Sequence, residues 1–315
     1  MADALGFMGK MGLAAAAAWD SAYSATGMAV IPFMSESLTP SWERIADQAL
    51  VGSGGQYPSD QGVFGAPGST KHPLDYNNFT ALFEAVLGAE AGGVVTIEDR
   101  LAVFNWLELE KTVSRHRFGA AVATKMTLSG QQKGQVELEV EWAPRSFDNN
   151  SAVFPAGATG PATMNKVRFQ DLVFRIGDQA DALASGDRVE IESFEITFDR
   201  KMKIDDYVAR AANAQLPIQP VEDEKRECGF KFKLPRYAAD TIIDWKEADT
   251  ALQADFVFTR GAESLTVELP EVRITEGFDA PIEGASHLTL EGSLEAYVGG
   301  TAYMYTGNEM RITVV

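Results

Sequence analysis

Apolar and polar positions along this chain follow two periods, and the period of two dominates. In Gln135–Trp142, Val136, Leu138, Val140 and Trp142 alternate with Glu137, Glu139 and Glu141. That spacing predicts a half-buried antiparallel strand with an acidic, wetted face. Leu101–Glu110 (LAVFNWLELE) is apolar on both faces at first and predicts a central strand. Further strands are expected over Arg117–Ser129, Val167–Ile176, Val189–Met202, Gly229–Leu234, Gln253–Thr259, Ser264–Ile274, Leu288–Val298 and Met310–Val315. Val189 and Ile191 are out of phase with Phe194, Ile196 and Phe198, which predicts a β-bulge near Ser193. Val167–Ile176 and Val189–Met202 are expected to pair as a hairpin around Gly177–Arg188.

The helical period appears clearly once. Phe79, Leu82, Phe83, Val86 and Leu87 make one apolar stripe within Leu74–Gly88, with Asp75 or Asn77 placed to cap its start and Gly88 its end. A second, weaker helix is expected over Tyr237–Asp249, with Ala238, Thr241, Ile242, Trp245 and Ala248 on one face.

Taken in order, these elements repeat. A strand, Ile31–Ile45, leads through a glycine-rich connection (Ala46–Pro73, with a short return strand over Gly62–Lys71) to the first helix and a run of strands. Pro32 places the start of that strand at a sheet edge or bulge, and Leu38 and Trp42 share a face. A second strand, Val189–Met202, leads through a charged connection, Lys203–Arg226, to the second helix and more strands. The expected fold is mainly β: two tandem units, each a sandwich or small barrel with one flanking helix. Residues 1–26 read as an N-terminal arm or short helix, residues 27–150 as the first unit and residues 151–315 as the second. The boundary lies in the turn-rich Pro144–Pro161. The length, 315 residues, suits two domains.

Charge narrows the function. Lys+Arg number 27 against Asp+Glu 45, a net charge of −18. This argues against binding to nucleic-acid backbone or anionic lipid, both of which need a basic footprint. The one cysteine, Cys228, allows no intrachain disulfide or cysteine metal site and reads as a buried thiol. Gly12–Ala18 has the composition of a signal-peptide core, but Asp3 precedes it and Lys10 interrupts it. No apolar run approaches the ~20 residues of a membrane span.

No catalytic constellation stands out. His72, His116 and His287 lack metal-motif spacing. The Gly52–Gly55 cluster lacks the Lys-Ser/Thr of a phosphate-binding loop, and there is no nucleophile elbow or calcium loop. Paired carboxylates arise by chance among so many acids. No cofactor is expected, and the chain reads as non-enzymatic. Glu137, Glu139 and Glu141, Glu190 and Glu192, and Glu291 and Glu295 form three acidic sets. Each is either a solvated strand face or a repulsive lining along which a polyanion slides without sticking.

Trp19–Leu38 (WDSAYSATGMAVIPFMSESL) resembles the N-terminal signature of the tail tube (major tail) proteins of long-tailed bacteriophages. The glycine-rich Leu50–Thr70, LFEAVLGAE at the helix end, ESFEITFDRKM, the loop through Leu216–Pro220, Phe230–Leu234 and LTVELPEVRIT are similar too, so the resemblance spans about residues 19–298. It implies tail-tube-like domains that form stacked rings around a DNA channel, with a two-domain chain closing as a trimer that mimics a hexamer. It implies ring-stacking loops over Asp47–His72 and Lys203–Arg226, including Gly52, Gly54, Gly55, Tyr57, Gly62, Phe64, Asp205, Asp206, Glu222 and Asp223. The acidic sets would then line the lumen. Implied partners are other copies of the chain, a tape measure protein, a tail terminator, distal tail or baseplate proteins and passing DNA, with no membrane. The location implied is the virion tail, after assembly in host cytoplasm. The rival readings are a secreted β-sandwich carbohydrate-binding or adhesin module, and a glycosidase using a carboxylate pair.

Overall fold

The computed structural model describes residues 9–24, 26–46, 59–77, 79–99, 103–111, 114–150, 154–155, 158, 160, 163–208, 215–236, 240–278, 290–299, 304 and 307–315. The first half comprises β1 (Lys10–Ala16), β2 (Ala29–Ile31), β3 (Ser35–Glu36), β4 (Ser41–Ile45), β5 (Asp60–Gly65), β6 (Gly68–Pro73), α1 (Thr80–Leu87), β7 (Gly88–Ala91), β8 (Val94–Ile97), β9 (Phe104–Glu110), β10 (Arg115–Gln131), β11 (Glu137–Ala143) and β12 (Ser146–Asn150). The second comprises β13 (Leu172–Asp178), β14 (Ser193–Asp199), β15 (Met202–Lys203), β16 (Val221–Glu222), β17 (Glu227–Leu234), α2 (Thr241–Glu247), β18 (Leu252–Arg260), β19 (Glu263–Gly277), β20 (Leu290–Ala296) and β21 (Arg311–Val314). The fold is mainly β and its ladders are antiparallel.

One pairing pattern occurs twice. In the first half β3 pairs with β6, β6 with β11, β11 with β10, β10 with β9 and β12, and β9 with β1. In the second, β14 pairs with β17, β17 with β20, β20 with β19, β19 with β18 and β21, and β18 with β13. Each half inserts a hairpin, β4–β5 or β15–β16, at the same place in the order. Two ladders join the halves: β10 with β14, and β8 with β21.

The two longest strands each serve two sheets. The N-terminal part of β10 pairs with β9 and β12, its C-terminal part with β11 and β14. Register breaks after Phe118 and Ala123, with Ala120 at φ 45°, bend it between them. β19 likewise passes from β18 and β21 to β20, with a break after Ile274. The result is one sheet in the order β3-β6-β11-β10-β14-β17-β20-β19. Its inner side faces a core shared by both halves, where Phe174, Phe194, Phe230, Phe232, Phe256 and Phe258 pack with ring centroids as close as 4.6 Å. Each such buried side chain contributes roughly 1.5–3 kcal/mol.

Several expectations hold. β9 is central, between β1 and β10. The α1 stripe is wholly buried, and Gly88 closes the helix at φ 108°, a left-handed conformation that glycine adopts without strain. In β11 the apolar residues are buried and the glutamates point out.

Others are corrected. The Ala-rich N-terminal stretch, expected as an arm or short helix, contains strand β1 between β2 and β9. Its alternation is between large and small apolar residues: Met11 and Leu13 enter the main core, while a Cβ on Gly12 would lie 2.7 Å from Met28 Sδ. A polar–apolar period cannot register that pattern. The strand expected over Ile31–Ile45 is three pieces, β2, β3 and β4, separated around Pro32 and Pro40. Leu38 is buried whereas Trp42 is exposed. The helix starts at Thr80 without a side-chain cap; Asp75 instead accepts from Asn77 N at 2.9 Å. β13 and β14 do not form a hairpin: β13 pairs with β18, and β14 lies between β10 and β17. Val189 and Ile191 precede β14 and pack on the core from outside the ladder, so their change of phase marks the strand start, not a bulge within it.

Candidate assembly and channel surfaces

The outer side of the eight-strand sheet carries most of the acidic residues singled out above. Alternation puts Glu137, Glu139 and Glu141 of β11 outward, and ladder partners place Lys71, Lys125, Thr127 and Ser129 beside them. Across β14, β17 and β20 the same side presents Glu195, Asp199, Glu227, Lys231, Lys233, Glu291, Ser293 and Glu295. Carboxylates outnumber ammonium groups, and cross-strand pairs hold most of the latter. Lys71 meets Glu137 at 2.7 Å, Lys125 meets Glu141 at 3.1 Å and Lys233 meets Glu192 at 3.4 Å. Lys201 bridges Asp199 and Glu227 at 3.3 and 2.8 Å. Glu137 beside it raises the Lys71 pKa, and Glu227 and Asp199 raise that of Lys201. Ser69 Oγ donates to Glu139 at 2.7 Å, and Tyr297 OH to Glu295 at 2.8 Å. Glu190 and Glu192 lie just before β14, Glu190 exposed and Glu192 half-buried at the border of the face.

Of the residues expected in stacking loops, Gly52, Gly54, Gly55 and Tyr57 lie outside the described residues, as does His287. Gly62 and Phe64 are buried in β5, Phe64 completely, with Trp42 at 5.1 Å between ring centroids. The two connections meet there: Phe64 N donates to Gln215 O at 2.8 Å, and Tyr207 OH to Phe64 O at 2.7 Å. Asp205 is exposed. Asp206 O accepts from Ile218 N at 2.9 Å, and Asp223 N donates to Lys201 O at 3.1 Å.

Glu222 belongs to a structural knot that sequence reading missed. Arg200 is fully buried. Its Nε donates to Val86 O at 2.6 Å, its guanidinium also reaches Leu87 O and Glu98 O, and it pairs with Glu222. The last carbonyls of α1 have no partner within their helix, and this arginine from the second half satisfies two of them. Burial pulls its pKa down and Glu222 opposes the shift. Its signal in the sequence was a lone arginine in ITFDRKM, indistinguishable there from a surface charge.

A second buried polar group seals the β3–β6 edge. His72 lies 2.8 Å from Pro32 O through Nδ1 and 2.9 Å from Thr70 Oγ1 through Nε2. Trp142 Nε1 donates to the same hydroxyl at 2.8 Å. A carbonyl only accepts, so Nδ1 carries the proton and Nε2 accepts from Thr70. Burial lowers the His72 pKa to about 4, keeping the ring neutral. The Cys228 thiol is buried and its pKa is raised by desolvation. Among the described residues there is no cluster of metal-ligating side chains, and no helix is long and apolar enough to cross a membrane.

Comparison with known families gives a match over residues 6–298 to the family described as phage tail tube protein. No curated protein matches the chain.

Proposed function

The chain belongs to the phage tail tube protein family, and from that premise we propose that its copies close into rings and that the rings stack around a channel for DNA. The observation that carries this reading is one outward, predominantly acidic sheet face that runs unbroken across both halves through the β10–β14 ladder. Turned inward in a ring, it becomes a wall. Glu137, Glu139, Glu141, Glu291 and Glu295 stand on it, with Glu195 beside them and Glu190 and Glu192 at its border. Phosphates passing such a wall are repelled, and lysines already paired with carboxylates offer few free cations to hold them.

The repeated pairing pattern supports two tail-tube-like domains, 27–150 and 151–315. β1 belongs with the first of them, because it occupies there the place β13 holds in the second. Three chains would then supply six similar units to a ring. The connections whose bases meet at Phe64 reach the neighbouring ring, with Gly52, Gly54, Gly55 and Tyr57 toward its contact and Asp205, Asp206 and Asp223 near the base. Partners are other copies, a tape measure protein, a tail terminator and distal tail or baseplate proteins. The subunit is structural and not enzymatic; it assembles in host cytoplasm and resides in the virion tail.

The test is replacement of Glu137, Glu139 and Glu141 with lysine in an infectious background. Tubes should still form, because the inward side of β11 is untouched, while DNA delivery falls. Unchanged infectivity would remove these residues from the wall.

A further inference from the structure

We infer that one copy joins the next through β19 and β3, with Ile274 of one opposite Leu38 of the other; this rests on the ring-forming reading above. The two halves repeat one ladder locally: its register break falls between Ala123 and Lys125 in β10 but between Ile274 and Glu276 in β19, so the match is made at the residues next to the joint, Lys125–Met126 and Arg273–Ile274. Ser35 and Glu36 lie opposite Lys71 and Thr70, as Glu195 and Ile196 lie opposite Lys231 and Phe230. Leu38 therefore holds the place of Phe198. Trp142 opposite Gly68 matches Ala296 opposite Cys228, and Met126 opposite Val140 matches Ile274 opposite Leu294. Ile274 therefore holds the place of Met126. Inside the chain Met126 pairs with Phe198. The same joint between equivalent residues puts Ile274 against Leu38, on stretches, Arg273–Gly277 beyond the β18 ladder and Ser35–Leu38, whose far sides carry no ladder among the described residues.

Backbone directions agree with this register. Ser37 N donates to Ser69 O at 2.9 Å, so Ser37 faces β6 and Leu38 faces away. Tyr297 N donates to Glu271 O at 2.9 Å, so Glu271 and Arg273 face β20 and Ile274 faces away. In the internal joint Arg200 N donates to Thr124 O at 3.0 Å. That bond makes Met126–Phe198 the pair that exchanges both hydrogen bonds, and Lys125–Asp199 the close pair without them. Ile274 and Leu38 both present the groups such an exchange needs.

Both edges are guarded in the single chain. Leu38 N donates to its own Glu36 carboxylate at 3.0 Å, and Gly277 O, which also faces away from β20, accepts from Lys246 Nζ at 2.6 Å. Charged side chains over open edges prevent indiscriminate pairing. Joining releases both and covers the half-buried Ile274.

The experiment uses the full chain with Arg273→Cys and Thr39→Cys, the equivalents of Lys125 and Asp199. In that position Cα atoms lie about 4.5 Å apart, within disulfide reach, and Cys228 is buried and does not compete. Oxidation of the assembled double variant should give covalently linked copies on a non-reducing gel, whereas each single variant gives none. In parallel, Ile274→Pro removes an outward N–H and leaves the β19–β20 bonds in place, and Ile274→Ala, which loses the same core packing but keeps the N–H, is its control. The proline variant should melt like the alanine variant yet need about tenfold or more higher concentration to assemble. Tubes that form normally but cross-link only when Thr39→Cys is replaced by Ser37→Cys or Ser41→Cys overturn the register and leave the ring reading intact. Assembly of Ile274→Pro at the alanine variant's concentration overturns the joint itself. A parent chain that never assembles sinks both.

Discussion

The hairpins of the two halves hold equivalent places between equivalent strands, yet their surroundings differ. β15–β16 is tied down: Arg200 grips the end of α1 and Glu222, Trp19 Nε1 donates to Pro217 O at 3.2 Å, and Tyr207 and Gln215 hold Phe64. Every residue of β4 is exposed, including Trp42 at 37% and Ile45 at 60%. The second half's excursion has the first half as its neighbour. The first half's excursion meets the second half only along β5, at Phe64, and among the described residues β4 is left exposed. A repeat that satisfies a contact once internally and leaves its counterpart open is poised to satisfy it with another copy, which is the logic of a head-to-tail interface that closes.

That contrast can be broken from its anchored side first. Arg200→Met should cost about 3 kcal/mol, since it leaves Val86 O without its donor and Glu222, 24% exposed, without its cation, while Leu87 O keeps Glu98 N at 2.8 Å. Urea unfolding followed by circular dichroism should show it, and Arg44→Met on the exposed β4 should change little. A midpoint shift no larger for Arg200→Met than for Arg44→Met would contradict the anchoring role.

His72 sharpens the comparison between the halves, because Phe232 holds the equivalent place. The folded His72 pKa is lowered to about 4 from 6.5. Below pH ~6.5 the unfolded chain binds a proton that the folded chain refuses, so stability falls as pH drops from about 6.5 to 4 and is fully present above that window. The upper bound is about 3 kcal/mol. His72→Gln should flatten that part of the stability–pH curve; an identical slope would assign the acid sensitivity elsewhere.

Gly68→Ala tests how β3 is held. Its Cβ would meet Leu38 N, Leu38 Cα and Ser37 O at 2.7 Å. Backbone does not yield as a flexible side chain does, so the expected loss is about 1–3 kcal/mol, read as a lower melting temperature together with weaker assembly. Smallest in the single chain is Ile45→Ser, at a residue 60% exposed, within about 0.5 kcal/mol by denaturation. It should still impair assembly, seen by electron microscopy; normal tubes would show that the exposed hairpin face meets nothing.

Strand identity was legible wherever polarity alternates, as in β11, and the α1 stripe and its glycine stop were legible from spacing alone. The N-terminal strand was hidden because Met11, Gly12, Leu13 and Ala14 alternate in size, not polarity. Partner choice was hidden as well. β13 and β14 are neighbours in sequence with suitable patterns, but Phe194, Ile196 and Phe198 pair across to β10 and β17. A strand's period specifies which face is buried and says nothing about which edge is met. The outward acidic residues were legible as a class, whereas the lysines that pair with them depend on register. Arg200 was invisible because the carbonyls it holds lie more than a hundred residues away.

The most direct test is to count chains in a purified ring by native mass spectrometry and its lobes in end-on electron micrographs. Three chains forming six similar lobes around an open centre is the predicted result. Six chains, or a protein that stays monomeric at high concentration even with a tail initiator complex, would contradict it.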